Sequence, residues 1–120
     1  FKGATMTKDF PEIADDVSND AAALREAIPE QMAGFAQLGA AAYKDGALSP
    51  SHKELIALAI GITVRCDGCV SYHVRSAYEK GATREEVAEA IGVAIQMGGG
   101  PSMVYGGEAL RAYDAFAKKG

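Results

Sequence analysis

The chain has 120 residues and sets 12 Lys and Arg against 16 Asp and Glu, a net charge of −4. That length closes one ordinary domain core without staples, and an acidic balance with no Lys/Arg-dense stretch excludes general attraction to nucleic acid or to an anionic membrane. Hydrophobic residues at 48% and charged residues at 23% exclude wholesale disorder, while 23 Ala, 14 Gly and no Trp favour close-packed helices over sheet.

The chain opens at Phe1, and Met6 is a candidate native start. Residues 1–17 are polar and acidic, with a short helix expected after Pro11; they read as an N-terminal segment before a single domain over 18–120. Ser18, Asn19 and Asp20 offer N-caps for a helix beginning at Ala21, which Pro29 stops or kinks. From Glu30 to about Lys44, Met32, Phe35, Ala36, Leu38, Ala42 and Tyr43 recur at helical spacing, with Gly46 as the C-terminal cap.

Ser51-x-x-Glu54 has the pattern of a capping box. It opens a helix that is apolar on nearly every face and therefore expected at the centre of the domain. Its apolar run, residues 55–64, is interrupted by Gly61 and Thr63 and falls short of the ~18 residues of a membrane span. Arg65-Cys66-Asp67-Gly68 breaks the helix, and the next runs through Cys69, Tyr72, His73 and Tyr78 to Lys80, with Gly81 as its stop. Thr83-x-x-Glu86 is a second capping box, ahead of Val87, Ala90, Ile91, Ala94 and Ile95 on one face. Gly98-Gly99-Gly100-Pro101 is a break, with Pro101 in the first turn of a last helix reaching about Lys118. Nothing alternates with period two for long, so the expected fold is all-α, with six to seven helices.

Two cysteines are too few for a secreted disulfide scaffold, and no signal-peptide pattern is present. A cytoplasmic protein is the default expectation, and there a Cys pair serves reactivity or metal binding. Cys66-x-x-Cys69 at the mouth of a helix sets both sulfurs near unpaired N–H groups and the positive end of the helix dipole, which favours thiolate. His73 follows Cys69 by four residues, one turn on, so its imidazole shares that face. Arg65 adds positive charge. If the helices on either side of residues 64–66 form an antiparallel pair, Glu54 lies within about a turn of His73. A carboxylate, an imidazole and a thiol in a row make a proton relay.

Competing readings are an incidental Cys pair, capping alone for Glu54, and a metal site. Zinc generally takes a fourth ligand beyond C-x-x-C and one His, and only His52 or an acidic residue is available. A thioredoxin-type motif belongs beside a βαβ pattern, which is lacking. His52 reads as a solvated first-turn residue, Tyr72 and Tyr105 as packing, and Gly98–Gly100 as a turn rather than a phosphate loop.

Glu54, eleven residues, Cys66-x-x-Cys69, three residues and His73 together resemble the signature of the AhpD-like branch of the carboxymuconolactone decarboxylase family. The run from Glu54 to Ala59 and the passage from Tyr78 to Val87 are similar to the family's flanking segments. The resemblance covers roughly residues 30–116. It implies an all-helical fold assembled as a homotrimer or homohexamer. It also implies a cofactor-free thiol oxidoreductase, with no metal, that reduces organic hydroperoxides with electrons from a dithiol donor. Cys69 would attack the peroxide and Cys66 would resolve the product, with His73 and Glu54 moving protons. This chain has Gly68 where the best-studied peroxidase members carry His. Two alternatives are a decarboxylase of aromatic degradation and a zinc-binding or redox-sensing interaction module.

Overall fold

Six helices, and no strand, make up residues 7–120, the part of the chain that the computed structural model describes. They are α1 (Phe10–Ala27), α2 (Pro29–Ala42), α3 (Pro50–Thr63), α4 (Asp67–Glu79), α5 (Arg84–Gly98) and α6 (Gly100–Lys119). Met6 lies outside the described residues. The all-α expectation holds, and no described helix is long and apolar enough to cross a membrane.

Local chemistry explains most boundaries. Only Ile28 separates α1 from α2, and Pro29 opens α2, since a proline is tolerated in the first turn but not in the interior of a helix. Arg65, at φ 59°, makes the sharp turn between α3 and α4. Gly81, at φ 92°, follows the end of α4 in the left-handed conformation that glycine takes at least cost. The Thr83/Glu86 capping box forms in full at the start of α5.

Three expected boundaries are corrected. α1 begins at Phe10, not Ala21: Asp9 caps it by accepting from Glu12 N at 3.1 Å, and Phe10 and Ala14 are buried. Ser18, Asn19 and Asp20 are exposed mid-helix residues, so the division between 17 and 18 falls inside α1. α2 ends at Ala42, with Tyr43 as its C-cap, and Gly46 takes part instead in a turn with Leu48. α3 is capped by Ser49, which accepts from His52 N at 3.1 Å, and Ser51 and Glu54 form no capping box. Pro50 at the first helical position moves the cap two residues upstream, which frees Glu54 for the interior.

The core lies where α3 packs against α4, α5 and α6 and where α1 and α6 close over α4. Leu58, Ile62, Val70, Val74 and Val87 are sealed from solvent. α3 is central as expected, yet Ile56 and Ile60 on its outer face are exposed. Two buried hydroxyls tie chain segments together. Ser71 donates to the Phe10 carbonyl at 2.6 Å, fastening α1 to α4, and Tyr113 donates to the Ala82 carbonyl at 2.8 Å. Burial keeps the Tyr113 hydroxyl protonated above the usual tyrosine range, helped by Tyr78 and Asp114 nearby.

At the α5–α6 crossing Gly106 is buried, and a Cβ there would stand 2.6 Å from Ile91 Cγ2. Overpacking of this kind costs about 1–3 kcal/mol, more than the up to about 1 kcal/mol by which Ala exceeds Gly in helix propensity. Gly106→Ala therefore lowers the urea midpoint, whereas Gly107→Ala, with open space around its Cβ, leaves it unchanged or raises it.

Candidate active site

The turn at residues 64–66 folds α4 back along α3, so the start of one helix faces the far half of the other. Gly61 permits the close approach: a Cβ there would stand 3.2 Å from Cys69 Cβ, and Gly61 O accepts from Cys66 N at 3.1 Å. Cys66 is the N-cap of α4, its sulfur accepting from Cys69 N at 3.1 Å. The two cysteines are joined in a disulfide, with Cα atoms 5.2 Å apart, and both are half-buried. Cys66 therefore sits where backbone N–H and helix dipole stabilise a thiolate once the bond is reduced.

α4 presents Cys69, His73, Ser76 and Lys80 at three- and four-residue steps, a single stripe down one face. Opposite it stands Glu54, 2% exposed. His73 Nδ1 lies 2.7 Å from Glu54 Oε1, and Lys80 Nζ donates to Glu54 Oε2, also at 2.7 Å. Each carboxylate oxygen thus has its own partner. With Nδ1 donating to the carboxylate, Nε2 is the nitrogen left to act as a base.

Two tyrosines wall the imidazole. Tyr43, at the C-cap of α2, stacks on the His73 ring at 5.9 Å, and Tyr72 meets it edge-on at 5.0 Å. Burial, and then the neighbouring Glu54 charge, hold the Tyr43 hydroxyl protonated above the usual range. The loop that carries the cysteines is clamped from outside. Lys8 donates to Asp67 at 3.0 Å and to Glu108 at 2.7 Å, with Tyr105 beneath its ammonium. Gly68 faces α1, and a Cβ on it would stand 3.0 Å from Val17 Cγ2. α1 occupies the space that a side chain at position 68 would enter.

All four residues singled out from the sequence meet here: Cys66 and Cys69 as a bonded pair, and Glu54 and His73 as a hydrogen-bonded one. His52 does not join them. It lines a groove of about 530 Å³ between α3 and α5, with Leu55, Ile56, Ala59 and Val93. Among the described residues no group of three His, Cys, Asp or Glu side chains is arranged to hold a metal ion. Sequence reasoning missed Lys80 and Tyr43. Lys80 was legible as a cation seven residues after His73, two turns along the same face; Tyr43 gave no signal, since only the return of the loop after α2 brings it to the ring.

Comparisons with known proteins cover the part of the chain that holds this cluster. The carboxymuconolactone decarboxylase family model matches residues 29–114. An uncharacterised protein of Cupriavidus necator is 39% identical over 110 residues, which span 92% of this chain and 97% of that one. Another, protein 4 in the cox locus of Paracoccus denitrificans, is 38% identical over 67% of this chain and 72% of its own length. Among solved structures, a family protein from Legionella pneumophila in its apo form superposes with a TM-score of 0.88 at 44% identity. That match covers 90% of this chain and 96% of the other. TM1620 from Thermotoga maritima gives 0.71 at 28% identity, over 79% and 89% respectively.

The capping role of Cys66 has a measurable consequence. Serine is a good N-cap and alanine a poor one, a difference of about 0.5–2 kcal/mol. Both Cys66→Ser and Cys66→Ala lose the disulfide, so comparing the two isolates the cap. Urea unfolding should find the serine variant more stable by that margin; equal midpoints would show that the sulfur caps nothing.

Proposed function

The chain belongs to the carboxymuconolactone decarboxylase family, and we propose that within it this protein is a thiol-dependent peroxidase, reducing organic hydroperoxides through Cys66 and Cys69 with electrons from a dithiol donor. One observation carries the reading: the Glu54–His73 hydrogen bond lies one helical turn behind Cys69, beside a Cys pair already joined in a disulfide. Neither a structural cap nor a packing role asks for that succession of groups.

The cycle starts from the reduced pair. His73 Nε2 takes the proton of the Cys69 thiol, and Glu54 stabilises the imidazolium that forms. The thiolate attacks the terminal oxygen of the hydroperoxide; an S–O bond forms and the O–O bond breaks. The leaving alkoxide takes the proton from His73 and departs as the alcohol, with Cys69 left as a sulfenic acid. Cys66, favoured as thiolate by its N-cap position, attacks Cys69 Sγ. The S–S bond forms, and hydroxide leaves as water, taking up the equivalent of the proton that the Cys66 thiol released on ionising. Two electrons have passed from the sulfurs to the peroxide. A dithiol donor returns them by exchange, ending as its own disulfide, and the leaving thiolate of Cys66 is again met by the helix N-terminus.

Variants of the four residues test this order of roles. Cys69→Ser abolishes peroxide consumption, because a serine hydroxyl is a far poorer nucleophile at neutral pH. Cys66→Ser allows one oxidation and then stalls. His73→Gln and Glu54→Gln slow the reaction by roughly 10²–10⁴-fold. Mass spectrometry of the reduced wild type after one equivalent of peroxide finds the loss of two hydrogens, and stable sulfinic acid at Cys69 with Cys66 free would refute the resolving role. Lactone decarboxylation has no step that needs sulfur. A double Cys→Ser protein that still turns over a lactone, beside a wild type inert to peroxide, would overturn the proposal.

The reading includes self-association as a homotrimer or homohexamer. In support, α2 buries none of its residues and leaves Phe35 72% and Leu38 65% exposed, and Ile60, Val93 and Met97 stand out from α3 and α5. Apolar surface on that scale marks an interface. Light scattering at micromolar concentration should return a trimer or larger, and a clean monomer would remove this part of the reading.

A further inference from the structure

Glu54 is nearly sealed from water, and an ionised carboxylate there needs compensating charge. Two groups could supply it. If His73 did so, its ring would have to be doubly protonated, and an imidazolium cannot accept the proton of Cys69. If Lys80 does so, the imidazole is free to stay neutral, donating from Nδ1 and basic at Nε2. The geometry favours the second arrangement. Lys80 Nζ holds Glu54 Oε2 at 2.7 Å, leaving Oε1 to His73, and Ser76 Oγ accepts from the same ammonium at 3.3 Å.

We propose that Lys80 is a positioning residue of the relay: its ammonium, clamped on the buried Glu54 carboxylate, keeps His73 in the neutral form that can take the thiol proton. The proposal deepens the peroxidase reading and rests on it for its kinetic consequence, though not for its effect on the imidazole.

The other groups around the ring leave this role to Lys80. Glu54 is the carboxylate that faces His73 from α3. Lys53, next to Glu54 in the chain, points away and donates to the Lys44 carbonyl at 2.5 Å. From the C-cap of α2 comes Tyr43, whose hydroxyl is held protonated. α4 itself contributes Tyr72, with the Arg75 guanidinium over its ring at 5.8 Å, and the cysteine pair toward its N-terminus. Lys80 also stands 6.0 Å from the centre of the Tyr43 ring, on the ring that stacks against His73.

The sign of the effect follows from charge. The Lys80 ammonium and an imidazolium compete for one carboxylate and repel each other. Removing the ammonium therefore favours imidazolium, and the acid limb of the rate profile moves to higher pH. On the acid limb, where the rate follows the neutral fraction, a displacement of about one pH unit lowers the rate about tenfold, and the loss fades as pH rises past the limb.

The experiment uses the reduced protein and cumene hydroperoxide as probe, with the rate of disulfide formation followed from pH 5 to 9. Lys80→Met keeps the aliphatic stem and loses the charge; its rate falls about tenfold on the acid limb near pH 5, less at pH 7, and recovers toward wild type by pH 9. Lys80→Arg keeps the charge and the shape of the wild-type profile. ¹⁵N NMR of His73 reads the ring directly, without turnover: at each pH of the series the neutral Nδ1–H fraction is lower in Lys80→Met than in the wild type wherever the ring titrates. A rate loss equal at every pH, or an unchanged His73 spectrum in Lys80→Met, overturns the role of Lys80. A wild type that never consumes peroxide while its His73 spectrum responds as described refutes the peroxidase reading alone and leaves Lys80's hold on the imidazole standing.

Discussion

A carboxylate taken out of water must be met by charge or by hydrogen bonds, and Glu54 is met by both. Its two oxygens accept from His73 and from Lys80, seven residues apart on α4, and only one register of α3 against α4 satisfies them together. The turn at Arg65 and the missing side chain at Gly61 let the two helices close to that register. The apolar contacts of Leu58 and Ile62 supply the general attraction. It is the buried carboxylate that makes a slipped pairing costly, because a shift by one residue would leave an ion without a partner.

The same register divides labour between the two sulfurs. Cys66 lies at the helix N-terminus, where its sulfur accepts from Cys69 N, whereas Cys69 lies one turn before the imidazole on the same helix face. A pair of equivalent thiols would have to share one environment. Here the environments differ by construction, which is what the proposed division between an attacking and a resolving sulfur requires. Gly68, between them, is covered by Val17 of α1, so the loop's outer side is closed by packing and by the Lys8 clamp on Asp67.

How much of this the sequence disclosed depended on whether the signal was local. The Thr83/Glu86 capping box, the Pro29 boundary and the Gly81 stop rest on neighbouring backbone, and all three were legible. The Cys66–Cys69–His73 spacing was legible for the same reason, as a face of one helix. Ser51/Glu54 matched the same capping pattern and misled, because Pro50 lets Ser49 take the cap while Glu54 turns to α4, a partner 19 residues away. The start of α1 was hidden because Ser18, Asn19 and Asp20 look like caps but form the wet face of a helix whose buried contacts are Phe10 and Ala14. Lys80 offered only its spacing, and the carboxylate that gives that spacing meaning is on another helix.

α2 is where local reasoning and tertiary structure part furthest. Its apolar residues recur at helical spacing as a core helix's would, yet it buries none of them, and among the elements it packs chiefly against α1. Its last turn nevertheless reaches the site through Tyr43, whose ring covers one face of His73 and lies under Lys80. A ring in that place excludes water from the imidazole only as firmly as its own helix is held. Within one chain the hold is slight, because a helix without buried residues owes its stability to propensity and caps, which are weak against packing. Contacts that cover Phe35 and Leu38 would fix α2 and, through Tyr43, the wall of the His73 ring. The exposed apolar face of α2 and the surroundings of His73 are thereby joined through one aromatic side chain.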